Sequence, residues 1–200
     1  MKQKLMIMAL LTAISVSLLA GSAQLAQGAE LNGQLVRLHV IAASDSQEDQ
    51  CVKLIVRDAI LEAVDRYACS NMEEAIRTMR ANVDSLAGIA QQTLLREGIN
   101  QRVEVRLCTE RYPQRCYGTF SLPAGEYVSL QVRIGAAEGQ NWWCVVYPAL
   151  CHACDEGMFR EAAQAAGFSD GQIRLMSMEH SKVQFRFKIF EILQKLKNFF

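Results

Sequence analysis

The chain is short of the residues on which most hydrolytic and nucleotide chemistry rests. Its 200 residues include three histidines and two tryptophans. No H-E-x-x-H, G-x-x-x-x-G-K or G-x-G-x-x-G occurs, which removes the common zinc-protease, P-loop and dinucleotide-binding signatures. An excess of one charge is missing as well. Lys plus Arg and Asp plus Glu both total 21, so nothing resembles the basic footprint of a nucleic-acid-binding protein. Half of the residues are hydrophobic, and the length suits one globular domain with a sizeable core.

Charge is also absent locally. After Lys2 and Lys4 the run LMIMALLTAISVSLLA carries none, and Gly21, Ser22 and Ala23 follow. A basic start, an apolar run and small exit residues form a secretory signal peptide pattern. The run is slightly shorter than the roughly 20 residues that span a bilayer, so a retained membrane anchor is the alternative. Residues 1–29 are therefore expected to be a signal peptide or anchor and 30–200 a single domain working outside the cytoplasm.

Export permits disulfides and changes how seven cysteines are read. Cys108 and Cys116 flank Tyr112-Pro113, a turn candidate, which suits a cross-strand bridge. Cys51 and Cys69 fall about 27 Å apart along one expected helix and cannot pair with each other. Cys144, Cys151 and Cys154 cluster in WWCVVYPALCHAC, where Cys151-His-Ala-Cys154 is a C-x-x-C. That cluster suits a Cys144–Cys151 bridge or inert thiols. Metal or redox chemistry is the competing reading, disfavoured because no second ligand pair exists and the preceding segment reads as antiparallel strand. No metal site and no cofactor are expected.

The mature chain reads as α+β. Residues 35–42 form an apolar, β-rich stretch, after which Ser44 or Ser46 can cap a helix, with Ser46 and Asp49 making an S-x-x-D capping box. Val52, Ile55, Val56, Ala59, Ile60, Ala63, Val64 and Tyr67 then recur at helical spacing and predict one apolar face. A second helix is expected from Asn71 to a stop at Gly98, giving two long N-terminal helices. From Gln101 the period becomes two, with Val103, Val105 and Leu107 alternating with charged residues. Strands over 117–122, 127–134 and 142–146 follow, separated by Pro- and Gly-containing turns, and together predict an antiparallel meander. A short helix over 158–166 and a C-terminal helix formed by residue 190 complete the order. The basic face of that last helix could touch a membrane surface, although packing on the sheet is the better fit.

A catalytic set is hard to assemble. Gly167-Phe-Ser169-Asp-Gly171 fits G-x-S-x-G, with His180 downstream, but a nucleophile elbow needs a strand before the serine and here an Ala-rich helix precedes it. Gly167 reads instead as a helix terminator. His39, with Asp45 or Asp49, is the best acid/base candidate, yet a strand histidine bonded to a polar neighbour is the commoner case. The acidic residues of the loop have a structural role at the start of a helix, where negative charge is favoured.

Three longer blocks carry more information than any of these motifs. RLHVIAASDSQEDQCVKLIVRDAILE, YPQRCYGTFSLPAGEYVSLQVRIGAAEGQNWWCVVYPALC and FRFKIFEIL resemble, in order and spacing, the stage II sporulation protein R family of endospore-forming bacteria. The likeness covers roughly residues 35–196. It departs locally: the family pattern IANSDS reads Ile41-Ala42-Ala43-Ser44-Asp45-Ser46 here, and PPLC reads Pro148-Ala149-Leu150-Cys151. Cys51, Cys69, Cys108, Cys116 and Cys154 lie outside the family motif, whereas Cys144 and Cys151 match it and favour a shared bridge.

The resemblance implies a secreted signalling protein and not an enzyme. It would act in the space between forespore and mother cell, close to membrane. Its partner would be the membrane-bound aspartic protease that converts pro-sigma-E to sigma-E, with no nucleic acid and no small-molecule substrate. A cell-envelope hydrolase using His39, or a secreted thiol-redox protein, is the alternative. Activation requires that the signal bind one state of its receptor better than the other. The candidate contact residues are His39, the loop residues Ser44, Asp45 and Asp49, Lys53, Arg57 and Asp58 on the first helix, and the pair Trp142 and Trp143. Adjacent strand residues point to opposite faces, so at most one of the two tryptophans is core.

Overall fold

The computed structural model describes residues 30–150, 153 and 155–178, together with 8, 10–12 and 14–17. The expected leader and the expected C-terminal helix fall mostly or wholly outside these residues. No helix among the described residues is long and apolar enough to cross a membrane.

The first strand, β1 (Val36–Ile41), is buried along its whole length. Helix α1 (Gln47–Asp65) follows, capped by Ser46, whose side chain accepts from the Asp49 amide as the capping box predicts. The expected second helix is two: α2 (Met72–Ala81), capped by Asn71, and α3 (Val83–Arg96). The break falls at Asn82, whose side-chain amide donates to the Thr78 carbonyl at 2.8 Å while its own backbone caps α2. An asparagine competes with the helix for backbone partners, and periodicity alone does not register this. Gly98 takes φ +74° and ends α3, as expected.

Strands β2 (Val103–Tyr112), β3 (Arg115–Cys116), β4 (Ser121–Leu122), β5 (Gly125–Ile134) and β6 (Asn141–Tyr147) come next. Helices α4 (Glu156–Ala165) and α5 (Asp170–Met178) follow them. The α+β class holds, but the antiparallel meander does not. The main sheet has the order β2-β5-β1-β6, with β1 parallel to β5 and antiparallel to β6. The first strand is thus inserted between two strands that follow one another in sequence. Of the stretch expected as one strand over 117–122 only β4 is strand, and it pairs with β3 in a separate two-stranded sheet.

Each face of the main sheet has its own core. Val36, Leu38 and Val40 of β1, with Val105, Leu130, Val132 and Val146 of its neighbours, pack against α1, α2 and α3 through Val56, Ile60, Met79 and Leu86. On the opposite face Tyr112, Tyr127 and Val145 pack with Phe120 of the hairpin segment and with Phe159 and Ile173 of α4 and α5. Both layers bury apolar surface, and together they enclose β1. Cys108 and Cys116 are both free thiols, so the bridge expected between them is not formed. Cys108 stands on β2 opposite Ser129 of β5, and Cys116 on β3 opposite Ser121, so the turn between them does not bring their strands into register.

Candidate functional site

The contact residues expected from sequence come together at one end of the sheet, where β1 finishes and β6 begins. The loop after β1 is held by its own polar groups. Ser44 Oγ donates to the Asp49 carboxylate, and the Ser46 amide donates to Ser44 Oγ at 3.1 Å. Gln101 Nε2 donates to the other Asp49 oxygen at 3.0 Å, tying the loop to the strand beyond α3. The hydroxyl of Ser44 and then the amide of Gln101 hold the Asp49 carboxyl below the usual aspartate range.

The same loop grips the β5–β6 connection. Asp45 Oδ1 accepts from the Gln140 amide at 2.8 Å, and Lys53 Nζ donates to the Gln140 carbonyl at 3.0 Å. Lys53 is only 5% exposed, and burial lowers its pKa, against which the charge of Asp45 acts. Gly139 sits so close that a Cβ there would lie 2.1 Å from the Ser44 carbonyl oxygen. Only a residue without a side chain permits this approach. The segment preceding β6 is therefore clamped from both sides.

His39 lies on the face of β1 opposite the aliphatic core. Its Nδ1 is 3.1 Å from Glu110 Oε1 on β2, and its Nε2 is 2.8 Å from Asn141 Oδ1 on β6. Gln131 of β5 donates to the same Glu110 carboxylate and accepts from Arg106 Nε at 2.6 Å. Four strands thus contribute to one polar row. Burial pushes the Glu110 carboxyl up, but hydrogen bonds from His39, Ser129 and Gln131 and the His39 charge together bring it below the usual glutamate value. The Trp143 ring stacks on His39, centroids 3.8 Å apart. With a partner at each ring nitrogen, an indole over the ring and 6% exposure, His39 serves as a structural bridge between strands.

Further along β1 on this face, Arg37 is wholly buried. Its guanidinium stands 3.9 Å above the Tyr112 ring and 4.7 Å from that of Tyr127, and it donates to the Tyr117 hydroxyl. Its Nε and Nη1 have no hydrogen-bond partner among the described residues. Ring faces supply what an acid would otherwise supply. Burial raises the phenol of Tyr112, and the same cause raises Tyr117.

The two tryptophans of β6 divide as strand geometry requires. Trp142 turns to the helical side, where the Arg57 guanidinium of α1 lies 4.3 Å from its ring and pairs with Asp58 at 2.7 Å. Trp143 turns to the polar row, with Arg115 of β3 at 5.5 Å. Glu110, Gln131, Asn141, Arg106, Arg37 and Arg115 were not among the expected site residues. Alternation in β2 and β5 places Glu110 and Gln131 on one face, a signal that points to them once the pairing β2-β5-β1 is known. The pairing itself is not local.

Among the remaining cysteines, Cys144 is disulfide-bonded, with its partner outside the described residues, while Cys51 and Cys69 are free. Cys151, His152 and Cys154 lie outside the described residues, as does His180. Ser169 of the G-x-S-x-G match caps α5, accepting from the Gln172 amide at 3.3 Å, while Gln172 Oε1 accepts from the Ser169 amide at 2.9 Å. This reciprocal pair is a helix start. Gly167 before it takes φ +83°, as a terminator does.

Known proteins place this arrangement. The family described as stage II sporulation protein R matches residues 32–156. A curated protein of that name from Bacillus subtilis (strain 168) is 37% identical over 120 residues, which cover 59% of this chain and 54% of the relative. The match thus spans about half the length of that relative. No solved structure matches. The matched segment runs from before β1 to the start of α4 and takes in the whole main sheet, its three covering helices and the clamped loop. The chain belongs to the stage II sporulation protein R family.

Proposed function

We propose that this protein is an exported signal of endospore formation that activates the membrane-bound aspartic protease converting pro-sigma-E to sigma-E in the mother cell. Family membership over residues 32–156 carries the sporulation role. The gathering of the expected contact residues around the start of β6 supports action by binding. It would act between the forespore and mother-cell membranes, delivered by the leader over residues 1–29. A Cys144–Cys151 bridge would fix the end of β6 in that oxidising space. The state of Cys144 supports it, since the other four described cysteines are free.

An enzymatic reading has less support. His39 is engaged at both ring nitrogens and covered by Trp143, so it is badly placed to move a proton to or from a substrate. The test is co-expression of the full chain with the family's protease and pro-sigma-E in a non-sporulating host, with conversion followed by immunoblot. Conversion is expected with the full chain and not with one lacking residues 1–29. Absence of conversion from folded, exported protein, while a known family member works alongside, would refute the activation role.

A further inference from the structure

Strands β3 and β4 form a sheet of their own, and between them and β6 lies a cavity of about 430 Å³. Its walls are ring and hydrocarbon, from Tyr117, Phe120, Trp143 and Leu150. Tyr117 stacks on Phe120 with centroids 4.9 Å apart, and Phe120 stacks in turn on Phe159 of α4 at 4.8 Å. Trp143 is backed by His39. Each ring is held by a neighbour behind it, so the shape of the cavity is built in. A preformed, apolar-walled space of this size holds a small organic group.

The charge around it is of one sign. Arg115 lines the cavity, is exposed and makes no ion pair among the described residues. Behind Tyr117 stands the wholly buried Arg37, which donates to the Tyr117 hydroxyl and has no acid beside it among the described residues. The Trp143 Nε1, buried in the wall, has no acceptor. No Asp or Glu is found among the described residues of the lining. Glu110, farther along the sheet, is taken up by His39 and Gln131. A guanidinium left unpaired at the mouth of an apolar cavity asks for an anion with an apolar body.

We infer that this cavity binds a carboxylate carried on an aromatic group. The carboxylate pairs with the planar fork of Arg115, and the ring lies against Tyr117, Phe120 and Trp143. Inorganic phosphate fits less well, because a single exposed guanidinium among apolar walls offers it few donors. An organic cation is repelled by Arg115. The site is made of side chains and asks nothing of the β6 backbone. It goes beyond the activation of the protease and does not rest on it. The same chemistry is offered by a free aromatic acid and by the last residue of a peptide chain, and the test separates the two.

Calorimetry on the folded full-length protein compares phenylpropionate, its uncharged amide, the matching amine, and a short acetylated peptide ending in phenylalanine with a free or an amidated terminus. At least one of the two carboxylates is expected to bind with a Kd of about 1 mM or tighter, and the uncharged and cationic forms at least about tenfold more weakly. Tighter binding of phenylpropionate assigns the site to free acids, and tighter binding of the peptide assigns it to a chain end. Arg115→Glu should weaken the carboxylate at least about tenfold without unfolding the protein. Ala153→Phe, which keeps Arg115 and fills the cavity, should do the same. Nuclear Overhauser contacts between the ligand ring and Leu150 check the placement without any substitution. No saturable binding of either carboxylate would overturn the proposal, as would equal binding of the amide or indifference to Arg115→Glu. Binding that survives Ala153→Phe, or that shows no contact with Leu150, would overturn it too, leaving an anion on the exposed Arg115 with the cavity unused.

Discussion

The two faces of the main sheet solve the same problem by different means. Toward α1, α2 and α3 the strands present mainly aliphatic residues, with Cys144 among them and Trp142 against Arg57 at the rim, and the packing rests chiefly on dispersion and water exclusion. Toward α4, α5 and the β3–β4 hairpin they present a buried arginine, a histidine bonded across three strands and a set of aromatic rings. The first face tolerates rearrangement as long as volume is kept. The second depends on directional partners, and losing one leaves another stranded. Stability is therefore concentrated on one side of β1, and specificity on the other.

The sharpest way to break the contrast is Leu38→Ala in the centre of β1, fully buried on the aliphatic side. It should lower unfolding free energy by about 3 kcal/mol, read from the urea midpoint, because the cavity cannot collapse between strands. A loss below about 1 kcal/mol would mean that this face is not the main source of stability.

On the other face Glu110→Gln should cost less, about 1 to 2 kcal/mol at neutral pH, since shape is retained and the charge-assisted bond to His39 is lost. The sign of its pH dependence follows from the direction of the shift. The Glu110 carboxyl is held below its ordinary value of 4.5, so its contribution is complete above about that pH and disappears as pH falls through the depressed folded value. Urea midpoints of wild type and Glu110→Gln should converge on acidification below pH 4.5. A gap that persists at low pH would assign the loss to packing instead.

The smallest effect on folding is expected from Arg115→Ala. The residue is exposed and makes no ion pair among the described residues, so stability should change by less than about 0.5 kcal/mol. Pro-sigma-E conversion in the co-expression assay should nonetheless fall if the polar face is the one that meets the partner. Unchanged conversion would move the contact surface away from Arg115 and Trp143.

The aliphatic face was legible in the sequence because its information is local. Val52, Val56, Ile60, Ala63 and Val64 repeat at helical spacing and are all buried, and the Ser46–Asp49 cap begins the helix where the motif puts it. Ile55, expected on the same stripe, is exposed instead, and Ala59 and Tyr67 are only half-buried. The polar face was not legible, because it depends on which strands are neighbours. β1 and β5 pair in parallel with all of α1, α2, α3, β2, β3 and β4 between them in the chain, and no short-range pattern encodes that partnership. Without it, Glu110 and Arg106 read as the solvent side of an alternating strand. Helix α5 is not among the elements expected from sequence, because Gly167, Ser169 and Gly171 dominate the stretch, although the reciprocal Ser169–Gln172 pair marks a helix start. His39, Asp45, Lys53, Arg57, Trp142 and Trp143 all belong to the same end of the sheet.

The adjacency of Trp142 and Trp143 has an optical consequence. They are the only two tryptophans in the chain, so all of its indole emission comes from one strand. Trp142 is 37% exposed and open to a soluble quencher, while Trp143 is stacked on the His39 imidazole. Emission colour and quenching of the unlabelled protein therefore report on β6 and almost nothing else, which gives the molecule a native spectroscopic marker where the loop after β1 and the polar row meet.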